Sequence, residues 1–194
     1  MTDYTDDLEP MRLAIAASRS ALDAGNNPYG AVLVSPSGQV LHSAANQQNT
    51  ERDITAHAEV VLVREAAARI GAAALAGATV YASGEPCVMC SGALYWAGVR
   101  RIVYAASNDV MNGLFGGDQL PIRCADVLAG ASREVQVEGP LLADAAVAVL
   151  REAVQRRDAQ RPSLAASSAG CWRWSWTASS AFRQRRPLQR IGSS

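Results

Sequence analysis

A chain of 194 residues, 49% hydrophobic and 19% charged, suits one soluble globular domain with a sizeable core. The first nine residues are acidic and polar and no apolar run approaches membrane-spanning length, so a secretory leader and a membrane span are not expected and a cytoplasmic location is. The net charge of zero is uneven: residues 1–158 set twelve Arg against eighteen Asp and Glu, a poor match for a phosphate backbone, whereas residues 159–194 hold six Arg and no acid.

Residues 8–24 carry Leu8, Met11, Leu13, Ile15 and Leu22 among many Ala and stop at Gly25, which predicts a first helix. Asn26-Asn27-Pro28-Tyr29-Gly30 predicts a turn, 31–35 a strand, Pro36-Ser37-Gly38 a second turn, and 39–44 the returning strand of a hairpin. Gly30 is expected either to admit a substrate close to the backbone or to supply an unusual φ. Asn46 has an amide that both donates and accepts, as recognition of a base edge requires, although Asn after a strand also serves as a plain turn residue.

The polar 47–53 loop leads into a helix over 56–70, closed by Gly71. Residues 78–83 read as a buried strand, 86–97 as a second helix capped by Gly98, and 101–105 as a further strand. By composition Trp96, near the end of that second helix, suits the core. A Gly- and Asn-containing loop is expected over 107–117, then a short helix at 125–129, a last strand within 132–137, and a strong helix from 141 to 157. The order predicts an α/β fold: three layers, α/β/α, around a mixed central sheet of about five strands.

The domain is expected to span 1–158. Residues 159–194 are rich in Ser, Ala and Arg, and Cys171-Trp172-Arg173-Trp174-Ser175-Trp176 alternates over too short a span to make a core. Three Trp beside Arg have the means to stack on bases, but a disordered tail, or one read from vector-derived coding sequence, is the stronger expectation.

Two stretches concentrate the chemistry: His57-Ala58-Glu59 and Pro86-Cys87-Val88-Met89-Cys90. Imidazole and thiolate suit Zn²⁺, and three protein ligands leave a fourth tetrahedral position for water, the mark of a catalytic site. Such a metal lowers the pKa of its water to about 7, and a nearby carboxylate, Glu59, is placed to move the proton. Pro86 suits a first helical position, which puts Cys87 and Cys90 on one face of a first turn, where the helix dipole favours thiolate. Residues two apart in mid-helix do not share a face, so His57 and Glu59 must stand at a helix start, with Thr55 as its cap. Ligands of such sheets bind outside the carboxyl ends of the strands, where the Cys pair would lie. A redox dithiol, or a structural zinc site completed by Cys124 or His42, needs neither the His-x-Glu nor the Pro before the first Cys.

His57-x-Glu59 followed by Pro86-Cys87-x-x-Cys90 resembles the zinc-dependent cytidine deaminase superfamily, in which the Glu is the general acid/base and not a ligand. The resemblance runs from Pro28-Tyr29-Gly30-Ala31-Val32 to the 141–157 helix. It implies one Zn²⁺ per subunit on His57, Cys87 and Cys90, with Glu59 catalytic, and a homodimer whose subunits help to shape each other's pockets.

The run from Glu85 to Ala93 looks like both the guanine deaminases and the tRNA-specific adenosine deaminases. Ser91-Gly92-Ala93-Leu94-Tyr95-Trp96 resembles the former, and Gly113-Leu114-Phe115-Gly116-Gly117-Asp118 resembles the loop carrying their second carboxylate. Carried over by position, Asn46, Ala58, Trp96 and Asp118 would contact the base. The reaction implied is guanine to xanthine plus ammonia, with zinc-bound hydroxide attacking C2 and Glu59 shuttling the proton. Three alternatives remain: a tRNA adenosine-to-inosine deaminase using Arg151, Arg156 and Arg157 for phosphate; a deaminase of cytosine, isocytosine or a triazine; and a non-catalytic zinc-stabilised RNA-binding module.

Overall fold

Alternate side chains along the strands fall into two apolar sets, as period-two geometry requires of a sheet covered on both faces. The computed structural model describes residues 5–116 and 120–160. Asp118 and the Trp- and Arg-containing segment 161–194 lie outside these, so the expectations for them are addressed by no structural observation. The described elements are α1 (Thr5–Asp23), β1 (Gly30–Val34), β2 (Val40–Ala45), α2 (Gln48–Glu51), α3 (Ala58–Ile70), β3 (Thr79–Gly84), α4 (Val88–Trp96), β4 (Arg101–Ala106), α5 (Asn108–Phe115), α6 (Cys124–Leu128), β5 (Gln136–Glu138) and α7 (Ala143–Gln160).

The five strands form one mixed sheet in the order β2-β1-β3-β4-β5. β1 pairs antiparallel with β2 and β3, while β3, β4 and β5 run parallel. Leu33, Val80 and Ile102 face one side with Val61 and Leu62 of α3, Leu94 of α4 and Leu128 of α6. Val32, Val34, Tyr81 and Val103 face the other with Met11 and Ala14 of α1, Met111 of α5 and Leu150 of α7. This is the expected three-layer α/β/α architecture.

Several boundaries differ from the sequence expectation, each for a tertiary reason. α1 begins before Leu8 because Asp7 is anchored: its carboxylate accepts from Arg101 at 2.7 and 2.8 Å and from the Tyr81 hydroxyl. α5 replaces the loop expected at 107–117. Gly113 and two Asn lower its helix propensity, but Met111 is buried against the sheet and Glu85 holds its first N–H. β5 is shorter than expected because Arg133, just before it, turns away to donate to the carbonyls of Tyr95 and Val99. The helix expected at 141–157 starts at Ala143 and runs to Gln160, two residues past the expected domain boundary.

Gly30 serves neither expected purpose. Its φ is not in the positive region, and what approaches it is α1: a Cβ there would lie 2.4 Å from the Ala14 carbonyl oxygen and 2.5 Å from the Ser18 nitrogen. Among the described residues, no helix is long and apolar enough to cross a membrane.

Candidate active site and metal centre

Four connections reach the same edge of the sheet. β3 and β4 end there in register, with Gly84 opposite Ala106, and β1 begins and β2 ends there, with Gly30 opposite Ala45. Tyr29, Asn46, Glu85-Pro86-Cys87 and Ser107-Asn108 therefore converge at the carboxyl ends of the parallel strands, as expected for such a sheet.

His57 is the residue that caps α3, in extended backbone with φ −66° and ψ 151°. Thr55 was the expected cap, but its hydroxyl donates to Asp53 Oδ1 at 2.7 Å. Cys87 likewise caps α4, with φ −68° and ψ 174°, so Pro86 stands just outside the helix and not at its first position. Neither His57 nor Cys87 makes a side-chain capping bond. Both point elsewhere: His57 Nδ1 lies 3.7 Å from Cys87 Sγ and 3.5 Å from Cys90 Sγ, and the sulfurs are 3.6 Å apart.

That triangle is a test of fit for zinc. Tetrahedral ligands at about 2.3 Å for sulfur and about 2.0 Å for nitrogen have edges of roughly 3.5–3.8 Å. The three observed edges match. Cys87 caps α4, and the helix N-terminus there favours its ionised form. The hydrogen bond between the sulfurs pulls the Cys87 thiol down to about 4, helped by His57, while the same bond and burial push Cys90 up. The bond to Cys87 raises the His57 imidazole.

Among the described residues, the cluster of potential metal ligands consists of His57, Cys87 and Cys90. His42 is instead occupied by Glu65, 2.8 Å from its Nε2, and neither it nor Cys124 supplies a fourth ligand. Three protein ligands leave one tetrahedral position for water.

Glu59, 5% exposed at the start of α3, lines the same cavity as His57 and Cys87. Burial raises its carboxyl above the usual range. The cavity measures about 320 Å³. Tyr29, Met111 and Phe115 give it apolar surface, and Asn27, Gln48, Asn108 and Asn112 give it amides. Burial, reinforced by the charge of Glu59, pushes the Tyr29 hydroxyl up to about 12. Gly84 leaves room for two of these walls, since a Cβ there would lie 2.7 Å from Met111 Sδ and 3.2 Å from the Tyr29 ring.

Of the remaining expected contacts, Ala58 is buried beside Glu59. Asn46, 1% exposed, is not among the residues lining the cavity and is held by Gln48, donating to its Oε1 at 2.9 Å and accepting from its N–H at 3.1 Å. Trp96 is 86% exposed, packed edge-to-face on Tyr95, and is not among the residues lining this cavity. It is therefore not the core residue that composition suggested. Sequence reading overlooked Asn27, Gln48, Asn108, Met111, Asn112 and Phe115. Their only signal was proximity to expected turns, and for α5 a periodicity weakened by Gly and Asn.

Residues 4–106 match the cytidine and deoxycytidylate deaminase zinc-binding region. This chain is a member of that deaminase family. The deaminase is 37% identical over 148 residues to a probable cytosine deaminase of Schizosaccharomyces pombe, which covers 73% of this chain and 88% of the relative. It is 40% identical over 98 residues to a tRNA-specific adenosine deaminase of Agrobacterium fabrum, or 50% of this chain and 64% of that one. A solved guanine deaminase from Nitrosomonas europaea superposes with a TM-score of 0.67 at 30% identity, covering 75% of this chain and 83% of its own. Family and metal cluster together make the protein a zinc-dependent hydrolase of the deaminase family.

The Arg residues expected to serve a tRNA are partly occupied. Arg156 pairs with Asp23 at 2.9 Å and Glu152 at 2.6 Å, and Arg157 with Asp158 at 3.5 Å.

Proposed function

We propose that this deaminase hydrolyses a free, neutral nucleobase, with guanine converted to xanthine and ammonia as the principal reaction. The observation that carries the reading is the buried Glu59 in one cavity with His57 and Cys87, a cavity that among the described residues is lined by amides and aromatic rings and by no Arg. A planar uncharged ring suits such walls, and a phosphate does not. The structural likeness to the Nitrosomonas europaea guanine deaminase supports guanine. So does the resemblance of the Trp96 and Asp118 segments to guanine deaminases. Cytosine is the second reading, favoured by the extent of the match to the Schizosaccharomyces pombe relative.

His57, Cys87 and Cys90 would hold one zinc per chain, which supplies a Lewis acid able to ready water for attack near neutral pH. Glu59 takes a proton from that water as oxygen bonds to the amine-bearing ring carbon, and delivers it to the adjacent ring nitrogen. Glu59 then takes the remaining proton from the hydroxyl on that carbon and passes it to the amine; the carbon–nitrogen bond breaks as the carbonyl forms, and ammonia departs. Burial, which raises the Glu59 carboxyl, suits a group that must both accept and donate. Tyr29, Met111 and Phe115 offer apolar surface to the face of the ring and exclude water from it.

The same reading includes a homodimer. α4 carries no charged residue, yet it leaves Met89 39% and Trp96 86% exposed, the composition of a helix that is covered.

Ammonia release from guanine, cytosine, isocytosine, adenine, their nucleosides and a tRNA anticodon stem-loop tests the proposal. Release from free guanine with little from the stem-loop is expected. Conversion of the stem-loop adenosine alone would overturn it.

A further inference from the structure

The amides around the cavity fall into two groups. At the mouth, Gln48 Oε1 accepts from Asn27 at 2.7 Å and from Asn46 at 2.9 Å, and Gln48 Nε2 donates to the Ile54 carbonyl at 3.0 Å. These side chains satisfy one another. Asn108 and Asn112, one turn apart on α5, are half-buried in the wall, and among the described residues no hydrogen bond engages either side-chain amide. Asp109, Val110 and Gly113 take the solvent side of the same helix, so the wall face is 108, 111, 112 and 115, the helical spacing of one stripe.

The placement of α5 is rigid at its start. Glu85, 5% exposed and next to Pro86-Cys87, accepts the Asn108 N–H at 2.9 Å and the Cys124 N–H at 3.1 Å. One buried carboxylate thus ties the thiol-bearing turn to the first residue of α5. α3 and α4 lie on one face of the sheet and α5 on the other. A ring lying across the ends of β3 and β4 would meet Glu59 at one edge and α5 at the other.

We propose that Asn108 and Asn112 are the specificity-determining residues of this site, reading the ring edge away from the reacting carbon. The inference rests on the nucleobase reading above. A carboxamide offers a donor and an acceptor side by side, which matches a lactam or amidine edge. The ligand class is a neutral, unphosphorylated heteroaromatic ring with a mixed donor and acceptor edge. Met111 and Phe115, between and beyond the two amides, supply the apolar contact to its face.

The test uses the zinc-loaded full chain with Asn108→Leu, Asn112→Leu and Asn108→Asp, and Val110→Thr on the solvent side as control. kcat and KM are measured for each base of the panel, and base affinity by calorimetry in the Glu59→Gln background. Loss of a hydrogen bond that a polar site was built to make is expected to lower kcat/KM for the preferred base by about tenfold or more. Selectivity between bases should change, with zinc content and the control unaffected. An equal fall for every base would reduce the pair to a structural role, and no change beyond about twofold would remove it from recognition. Either result overturns the proposal while leaving deamination intact. If the wild type turns over no base, the nucleobase reading fails and affinity decides: weakening by about tenfold in the Leu variants upholds the amide pair. Unchanged affinity, or no base bound, overturns it.

Discussion

Glu59 draws its chemistry from its surroundings. The carboxylate is two residues from one ligand in sequence, is nine-tenths or more buried, and shares its cavity with His57 and Cys87. Glu59→Gln keeps the shape and removes the transferable proton, so zinc content should remain that of the wild type while kcat falls by about 10²- to 10⁴-fold. Near-normal kcat in that variant would take Glu59 out of the mechanism. His57, Glu59, Cys87 and Cys90 were all readable in the sequence, because ligand type and spacing are local properties. Asn108 and Asn112 were not, since an amide reveals nothing until its neighbours are known.

At the level of elements, two junctions hold the sheet and its helices in place. The first is the contact of α1 on Gly30, where backbone meets backbone. The Ala14 carbonyl and the Ser18 N–H cannot move aside as a side chain would, so Gly30→Ala should destabilise by about 3 kcal/mol through overpacking. A thermal midpoint within a degree of the wild type would contradict this. The second is Arg101 on β4, which grips Asp7 of α1 and Glu138 of β5 at 2.7–3.0 Å.

Asp7 is 5% exposed, and the hydrogen bond from Arg101 holds its carboxyl below the ordinary 3.8. A depressed folded value means the stabilisation is complete above that ordinary value and is lost as pH falls through the folded one. Asp7→Asn should therefore cost about 3 kcal/mol at pH 7, where it leaves Arg101 short of a partner. The gap to the wild type should close as the pH drops below about 4. Denaturant titrations at pH 7 and pH 3 would check both, and a gap constant with pH would show that Asp7 is not held as a carboxylate.

For the whole molecule, the metal couples the two sides of the site. α3 contributes His57 and α4 contributes both thiols, so an ion bound there joins two helix starts that otherwise meet through side chains alone. Zinc should therefore stabilise the folded chain by linkage, about 2.7 kcal/mol at a hundredfold excess over Kd. Titrating zinc into the stripped protein while following thermal unfolding should raise the midpoint steadily, and Cys90→Ser should flatten the response. A midpoint indifferent to zinc in the wild type would refute the metal centre.

Strand alternation, the glycines that close α3 and α4, and the His-x-Glu and Pro-Cys-x-x-Cys spacings determined the layering, the succession of the strands and long helices, and the metal ligands from the sequence alone. These are short-range signals, carried by residues within a few positions of one another. The tertiary structure decided what depends on distant segments meeting. It showed that Gly30 makes room for α1, and that the Asn46 amide is bonded to Gln48. It made Trp96 an exposed residue, and it turned residues 108–115 from an expected loop into a helix that walls the cavity. In each case burial and backbone hydrogen bonding across the sheet outweighed local propensity, and one-dimensional spacing does not encode them.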